Sequence, residues 1–448
     1  MEFEDTVSRS DKDREHAFAA LLSRRRFLRG IGALGLLGMS GPALAACGAL
    51  APQSPTPGPG ASGSQGPDET AGIGPIHLVS LFSLSGPSAE TGQLCNEGVR
   101  LAAKEAESRH GLVVDIEELD DTGSVDEAVR RCRDALGQGS RFFTGSTLSN
   151  IALALSETIN REGGVYTTGT GADAITGEEC RTATFRWAVT TYGDVRESVG
   201  PLLKLKPELK RWYTITTDYV FGEGLLTATK DLLAEAGATH VGNSYHSLDE
   251  TQFSSYLNNA RAANPDVLLL LNFGGQSTTS LKQAISFGLR DELTLAMAVS
   301  SGLEQLRALG PEVLEGVYMG GAYWHTVDTS RNKEFVDAFR GEYGRTPGTL
   351  AAQGYEGARM ILEGVARAGS QDPEAVIEAL EGYTYDALTG PSEIRADDHQ
   401  LLKDYLLLRG KARAEMADED DLVEVLSSGQ SYKSPSEAGC DALVPLGE

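Results

Sequence analysis

The side chains placed to touch a small molecule are short and polar. Ser85, Ser146, Thr147, Gly169, Thr170 and Gly171 each follow an apolar run that reads as a β-strand. Hydroxyls and backbone N–H groups at strand ends can face a ligand, and a small or missing side chain lets a carboxylate approach the amides and gain charge-assisted hydrogen bonds. The same residue types also serve plain turns and helix caps. Farther along, Tyr219, Phe221 and Phe273 lie at comparable strand ends, and Trp324 closes the segment 316–324. Aromatic rings in such places either stack on a ligand or pack in the core.

No bond-breaking machinery accompanies these residues. The seven histidines and five cysteines form no His-Glu-x-x-His or Cys-x-x-Cys pattern, and the chain has neither a Gly-x-Ser-x-Gly elbow nor a Gly-Lys-Ser/Thr phosphate loop. The sequence therefore predicts binding with no catalytic residue, metal or cofactor. Gly30-Ile31-Gly32-Ala33-Leu34-Gly35 fits a dinucleotide-binding pattern, but no strand precedes it and it sits inside an export signal.

What must position the small polar residues is an alternation of short apolar runs and helical patterns, the mark of βαβ units with a mostly parallel sheet. Strands are predicted at 76–82, 113–119, 141–144 and 165–168, with helices at 92–109, 125–136 and 151–162 between them. After Phe185 the pattern starts again, with strands at 212–216, 241–244, 266–271 and 293–298 and helices at 224–236, 253–263 and 280–287. Later helices at 332–343 and 353–368 fit either half. The fold class is α/β, as two doubly wound, Rossmann-like lobes. In such sheets ligands sit beyond the carboxyl ends of the strands.

With 39 Lys and Arg against 64 Asp and Glu, the net charge of -25 disfavours nucleic acid and anionic lipid surfaces as partners. The paired arginines of Ser23–Arg29 precede an apolar, glycine-interrupted run, 30–46, too short to span a membrane readily. Together they read as a twin-arginine export signal. The run ends in Leu44-Ala45-Ala46-Cys47, which resembles a lipoprotein lipobox and implies a lipid on Cys47 that ties the protein to a membrane. Residues 48–74 are rich in Pro, Gly and Ser and are predicted to form a disordered tether.

The segment Leu84-Ser85-Gly86-Pro87-Ser88-Ala89-Glu90-Thr91-Gly92 resembles the loop after the first strand of leucine/isoleucine/valine-binding-like proteins, the type I periplasmic binding proteins that serve ABC importers. Further matches keep that family's order: Asp120-Asp121, Gly145-Ser146-Thr147, 168–173, 218–222, 264–267 and Gly274-Gly275. The resemblance spans roughly 76–410. It implies two lobes joined by three hinge crossovers, near 190–194, 320–324 and 388–395, with an N-terminal lobe of 75–190 plus 322–388, a C-terminal lobe of 191–321 plus 389–430, and a tail of 431–448. It also implies a monomer that captures a small molecule by lobe closure and delivers it to a permease with its ATPase. A ligand-sensing receptor, or an exported amide hydrolase, stays as an alternative.

In this family Thr91 stands where the ligand side chain is felt. Its amino-acid binders hold the ligand ammonium with an acidic residue of the second lobe, yet the matching stretch here, 297–301, carries no carboxylate. The departure points away from a plain α-amino acid and toward an amide, urea-like compound, aromatic acid or other small carboxylate. Finally, 176–180 and 436–440 resemble a family branch in which a tail cysteine returns to the lobe junction, which implies a Cys180–Cys440 disulfide.

Overall fold

Mostly buried strands form the centre of two large sheets. A computed structural model describes residues 73–188 and 190–448; the export signal, Cys47 and the tether up to residue 72 lie outside the described residues. In the first lobe, β1 (Ile76–Phe82), β2 (Val114–Asp120), β3 (Phe142–Gly145), β4 (Val165–Thr168) and β5 (Thr184–Arg186) form a parallel sheet in the order β2-β1-β3-β4-β5. All but one residue of β1 are buried, as a strand covered on both faces requires. Leu78 packs into one core cluster, and Val79 and Leu81 into another on the opposite face.

Helices α1 (Ala89–His110), α2 (Val125–Gly137) and α3 (Ser149–Glu162) make the crossovers. Cys95 on α1 and Cys132 on α2 are unpaired, buried, and belong to these two different clusters.

The second lobe holds β6 (Arg211–Thr217), β7 (Thr239–His246), β8 (Val267–Leu271), β9 (Thr294–Met297) and β10 (Tyr318–Gly321), all parallel. Around them run α4 (Thr191–Leu205), α5 (Val220–Glu235), α6 (Ser254–Ala262), α7 (Gly275–Ser286), α8 (Leu303–Leu309) and α9 (Pro311–Leu314). The chain then returns to the first lobe as α10 (Ser330–Tyr343), α11 (Thr349–Ala368) and α12 (Pro373–Leu380), which share a core cluster with β1 and α1.

Two crossovers end in a capping threonine: Thr190 Oγ1 accepts from Gly193 N at 3.0 Å at the start of α4, and Thr329 Oγ1 from Asn332 N at 3.0 Å at the start of α10. Each cap satisfies an orphan amide and fixes the angle at which the chain enters the next lobe.

The third crossover lies later than the sequence places it. β11 (Thr384–Ala387), β12 (Gly390–Ile394) and β13 (Leu401–Leu402) form a small antiparallel sheet, and Leu388, Ile394 and Leu401 bury in the first lobe's core. Only at Lys403 and Asp404 does the chain cross back, to pair β14 (Tyr405–Gly410) and β15 (Val423–Gly429) antiparallel on the second sheet. Residues 389–402 thus belong with the first lobe, not the second. The tail then returns to the first lobe, where Cys440 is disulfide-bonded to Cys180, Val444 bridges Arg181, and Asn160 Nδ2 donates to Pro445 O at 2.7 Å.

Among the described residues no helix is long and apolar enough to cross a membrane.

Candidate functional site

The carboxyl ends of both sheets face a cavity of about 110 Å3 between the lobes. At the ~15 Å3 needed by one water, that is room for roughly seven water-sized groups. From the first lobe, the loop after β3 brings Thr147 and Ser149 and the loop after β4 brings Gly169, Thr170 and Gly171, with Thr91 from α1 beside them. Ser149 opens the 14-residue α3, whose N-cap, Leu148, offers no side-chain acceptor. The first amides of α3 therefore meet the cavity uncapped, where they and the helix dipole favour an anion.

From the second lobe come Tyr219 and Phe221 at the start of α5, their ring centroids 6.0 Å apart, Phe273 after β8, and Val299 and Ser300 after β9. Burial pushes the Tyr219 hydroxyl up to about 12, so it stays a neutral donor.

The lobes touch across this space. A Cβ on Gly171 would lie 2.7 Å from the Phe221 ring, and one on Gly302 would lie 2.4 Å from Thr349 Oγ1. Only glycine permits either approach, so these contacts fix how closely the lobes meet.

Three predicted residues stand elsewhere. Ser146 is fully buried behind the loop, donating to Asp121 Oδ2 at 3.2 Å while its Oγ accepts from Leu148 N; it shapes the turn that presents Thr147. Ser85 is exposed and hydrogen-bonds Asp120 outside the cavity. Trp324 is 1% exposed within the second lobe's core, its ring beside His325, because the crossover folds it back onto its own sheet.

The sequence reading also missed residues. Trp187, Ala188 and Ala322 line the cavity from the crossovers, Thr349, Leu350 and Gln353 from α11, and Tyr405 from β14. Asp194, in the first turn of α4, is the only Asp, Glu, Lys, Arg or His among the lining residues. Its carboxyl is held well above the usual carboxylate range by burial and by Asp173, against the pull of Lys403, Arg186 and the Tyr405 hydroxyl bonded to it. Only its place directly after a crossover could have pointed to it.

Beneath the cavity the crossovers are knotted together. Lys403 Nζ donates to Ala322 O at 2.7 Å and lies 4.5 Å from the Trp187 ring centroid, while its backbone N donates to Tyr432 Oη at 3.0 Å. Burial pushes its ammonium down to about 8, against Glu356, Asp194 and Asp404. Arg186, fully buried, is held by Gln400 Oε1, Ala172 O and Thr176 Oγ1, and Gln400 Nε2 donates to Ala188 O at 2.9 Å.

Comparison with known proteins agrees with this architecture. A family model described as periplasmic binding protein matches residues 75–415. Leu/Ile/Val-binding protein homolog 7 of Brucella abortus (strain 2308) is 26% identical over 335 residues, 70% of this chain and 82% of that protein. Among solved structures, the amino acid ABC transporter substrate-binding protein from Pseudomonas fluorescens Pf-5 is 48% identical with a TM-score of 0.80, covering 82% of this chain and 99% of its own. A solute-binding protein of an ABC transporter from R. palustris, in complex with benzoate, shares the fold at a TM-score of 0.72 and 20% identity over 82% of this chain and 100% of its own. Because the match runs through both lobes and every crossover between them, the chain belongs to the type I, leucine/isoleucine/valine-binding-like periplasmic binding proteins, a family of exported solute binders and not of enzymes.

Proposed function

We propose that the protein is the solute receptor of an ABC importer and that its solute is amino-acid-like, with a carboxylate at one end and an ammonium at the other. The observation that carries this is the polarity of the cavity: uncapped amides and hydroxyls on the first lobe, and a single carboxylate among the lining residues, Asp194, in the first turn of α4. The absence of an acidic residue in 297–301 argued against an ammonium. Asp194 supplies one from another element.

A zwitterion bridging the two lobes would favour the closed state by its contacts to both, with the aromatic rings beside its side chain. The Pseudomonas fluorescens relative is an amino acid ABC transporter substrate-binding protein, which supports the same class. In this reading the protein is a monomer, exported by its twin-arginine signal and tethered through a lipid on Cys47, and it hands its solute to a permease powered by an ATPase.

Thermal unfolding with a panel of L-amino acids, their amides and their deaminated acids tests the ligand class. Amino acids should raise the midpoint and deaminated acids should not. A response to deaminated aromatic acids alone would remove the ammonium from the proposal.

A further inference from the structure

Fifteen of the twenty residues of α11 are buried, so a long polar side chain in its first turns needs a partner. Two are present. Glu356 has its partners inside the protein: it accepts from Leu388 N at 3.1 Å, from the Tyr385 hydroxyl at 3.3 Å and from Arg359 Nη1 at 3.4 Å. Among the described residues Gln353 has none for its donor. The residue is 9% exposed, its Nε2 is shielded from solvent without a hydrogen bond, and it lines the cavity.

The helix that carries that amide is fixed in place. Gly354 brings α11 against the backbone of Cys95, Gly98 brings α1 against the Ala351 carbonyl, and Thr167 Oγ1 donates to Gly357 O at 3.0 Å. Across the cavity wall, a Cβ on Gly169 would lie 2.2 Å from Gln353 Cδ and 2.4 Å from its Nε2. The glycine is thus the space that the amide occupies. A buried donor left unpaired weakens the empty protein, and Gly169 leaves the room in which that donor lies. Both features are accounted for if something entering the cavity accepts the hydrogen bond.

We propose that Gln353 is a specificity-determining residue whose Nε2 donates to an oxygen of the captured solute, so that the protein requires a carboxylate or carbonyl oxygen at the α11 end of the cavity. The inference rests on the reading of the cavity as a solute site. A site built to hydrogen-bond a substrate group rejects analogues lacking it far more strongly than an apolar pocket does, because its own polar group is then stranded.

Calorimetry on the full chain tests this with L-leucine and L-phenylalanine and with the matched amino alcohols, L-leucinol and L-phenylalaninol, in the wild type, Gln353→Met and Gln353→Glu. The wild type should bind at least one amino acid and bind its amino alcohol about tenfold to a hundredfold more weakly. Gln353→Met should lose about the same factor for the amino acid, and its preference for the acid over the alcohol should narrow by that factor. Its unliganded midpoint should equal or exceed that of the wild type, since a stranded donor has been removed; a purely structural glutamine would give a lower one. Gln353→Glu should lose the amino acid entirely. Wild-type affinity in Gln353→Met, or retained affinity in Gln353→Glu, would overturn the assignment while leaving the solute site intact. If the wild type binds neither amino acid, both proposals fall.

Discussion

Asp194→Asn should make the empty protein more stable and the loaded protein less so. The carboxyl is 4% exposed and is held above its ordinary range, first by burial and then by Asp173. A group whose folded value is raised favours the native state below its unfolded value, near 3.9, and that contribution is lost as pH rises through the folded value. As pH rises above that unfolded value the native state therefore bears a growing cost for keeping this carboxyl buried. Asparagine keeps an acceptor for the Tyr405 hydroxyl and removes the charge, which is worth on the order of 1–3 kcal/mol. For the ~375 described residues the unfolding entropy is about 0.8 kcal/mol per kelvin, so the midpoint should rise by about 1–4 °C at pH 8 and by nothing near pH 3.

An ammonium-bearing solute at one hundred times its Kd adds about 2.7 kcal/mol to the wild type, or roughly 3 °C. If the variant binds about a hundredfold more weakly, as expected on losing one partner of a buried charge pair, the same solute adds about 0.5 °C. Differential scanning calorimetry at both pH values, with and without solute, reads all four quantities. A lower midpoint for the empty variant, or an undiminished response to the solute, would refute both the burial argument and the ammonium assignment.

Three further outcomes are expected. The Lys403 ammonium, pushed down to about 8, leaves the unfolded chain holding more protons between about 8 and 10.4; the wild-type midpoint should gain on that of Lys403→Met as pH rises through this window, and parallel curves would contradict it. Gly171→Val should prop the cleft open against Phe221, weakening solute affinity about tenfold or more while small-angle scattering shows no compaction on adding solute; wild-type affinity would show that the lobes need not meet there. Cys440→Ser opens a link between residues 260 apart in sequence and should cost about 2–5 kcal/mol, a midpoint drop of roughly 3–6 °C that reductant reproduces in the wild type and does not deepen in the variant.

What could be read from the chain follows from how local each signal is. Runs such as 267–271, wholly apolar and five residues long, read by their length as buried strands, and Gly and Ser at their ends mark turns. Thr147, Gly169, Thr170 and Gly171 were legible for that reason. Lobe membership is not local. Residues 390–394 alternate buried and exposed as any half-covered strand does, and only the pairing with β11 and β13 shows that they stay with the first lobe. Trp324 carries the same ambiguity: a ring in a crossover can turn toward the cleft or the core, and here the core took it. Asp194 and Gln353 were not legible because both sit on helices, where no strand end marks them and only the packing of the lobes turns their side chains to the cavity.

The positions of those two residues bear on how binding moves the lobes. Asp194 is one turn into α4, just past the first crossover, and Gln353 is one turn into α11, in the stretch that follows the second. Trp187 and Ala322, which line the same cavity, are themselves crossover residues, and Lys403 joins both to the third. A solute held between Asp194 and Gln353 therefore pulls on segments that begin at the hinge. Little leverage is lost in flexible chain, because Arg186 and Gln400 brace the first crossover against the base of the third. Closure then requires no signal relayed from a distant site, since the groups that contact the solute are a few residues from those that must turn. If this holds, substitutions at Lys403 should change solute affinity even though its ammonium does not line the cavity, and equal affinities for wild type and Lys403→Met at pH 7 would separate the hinge from the site.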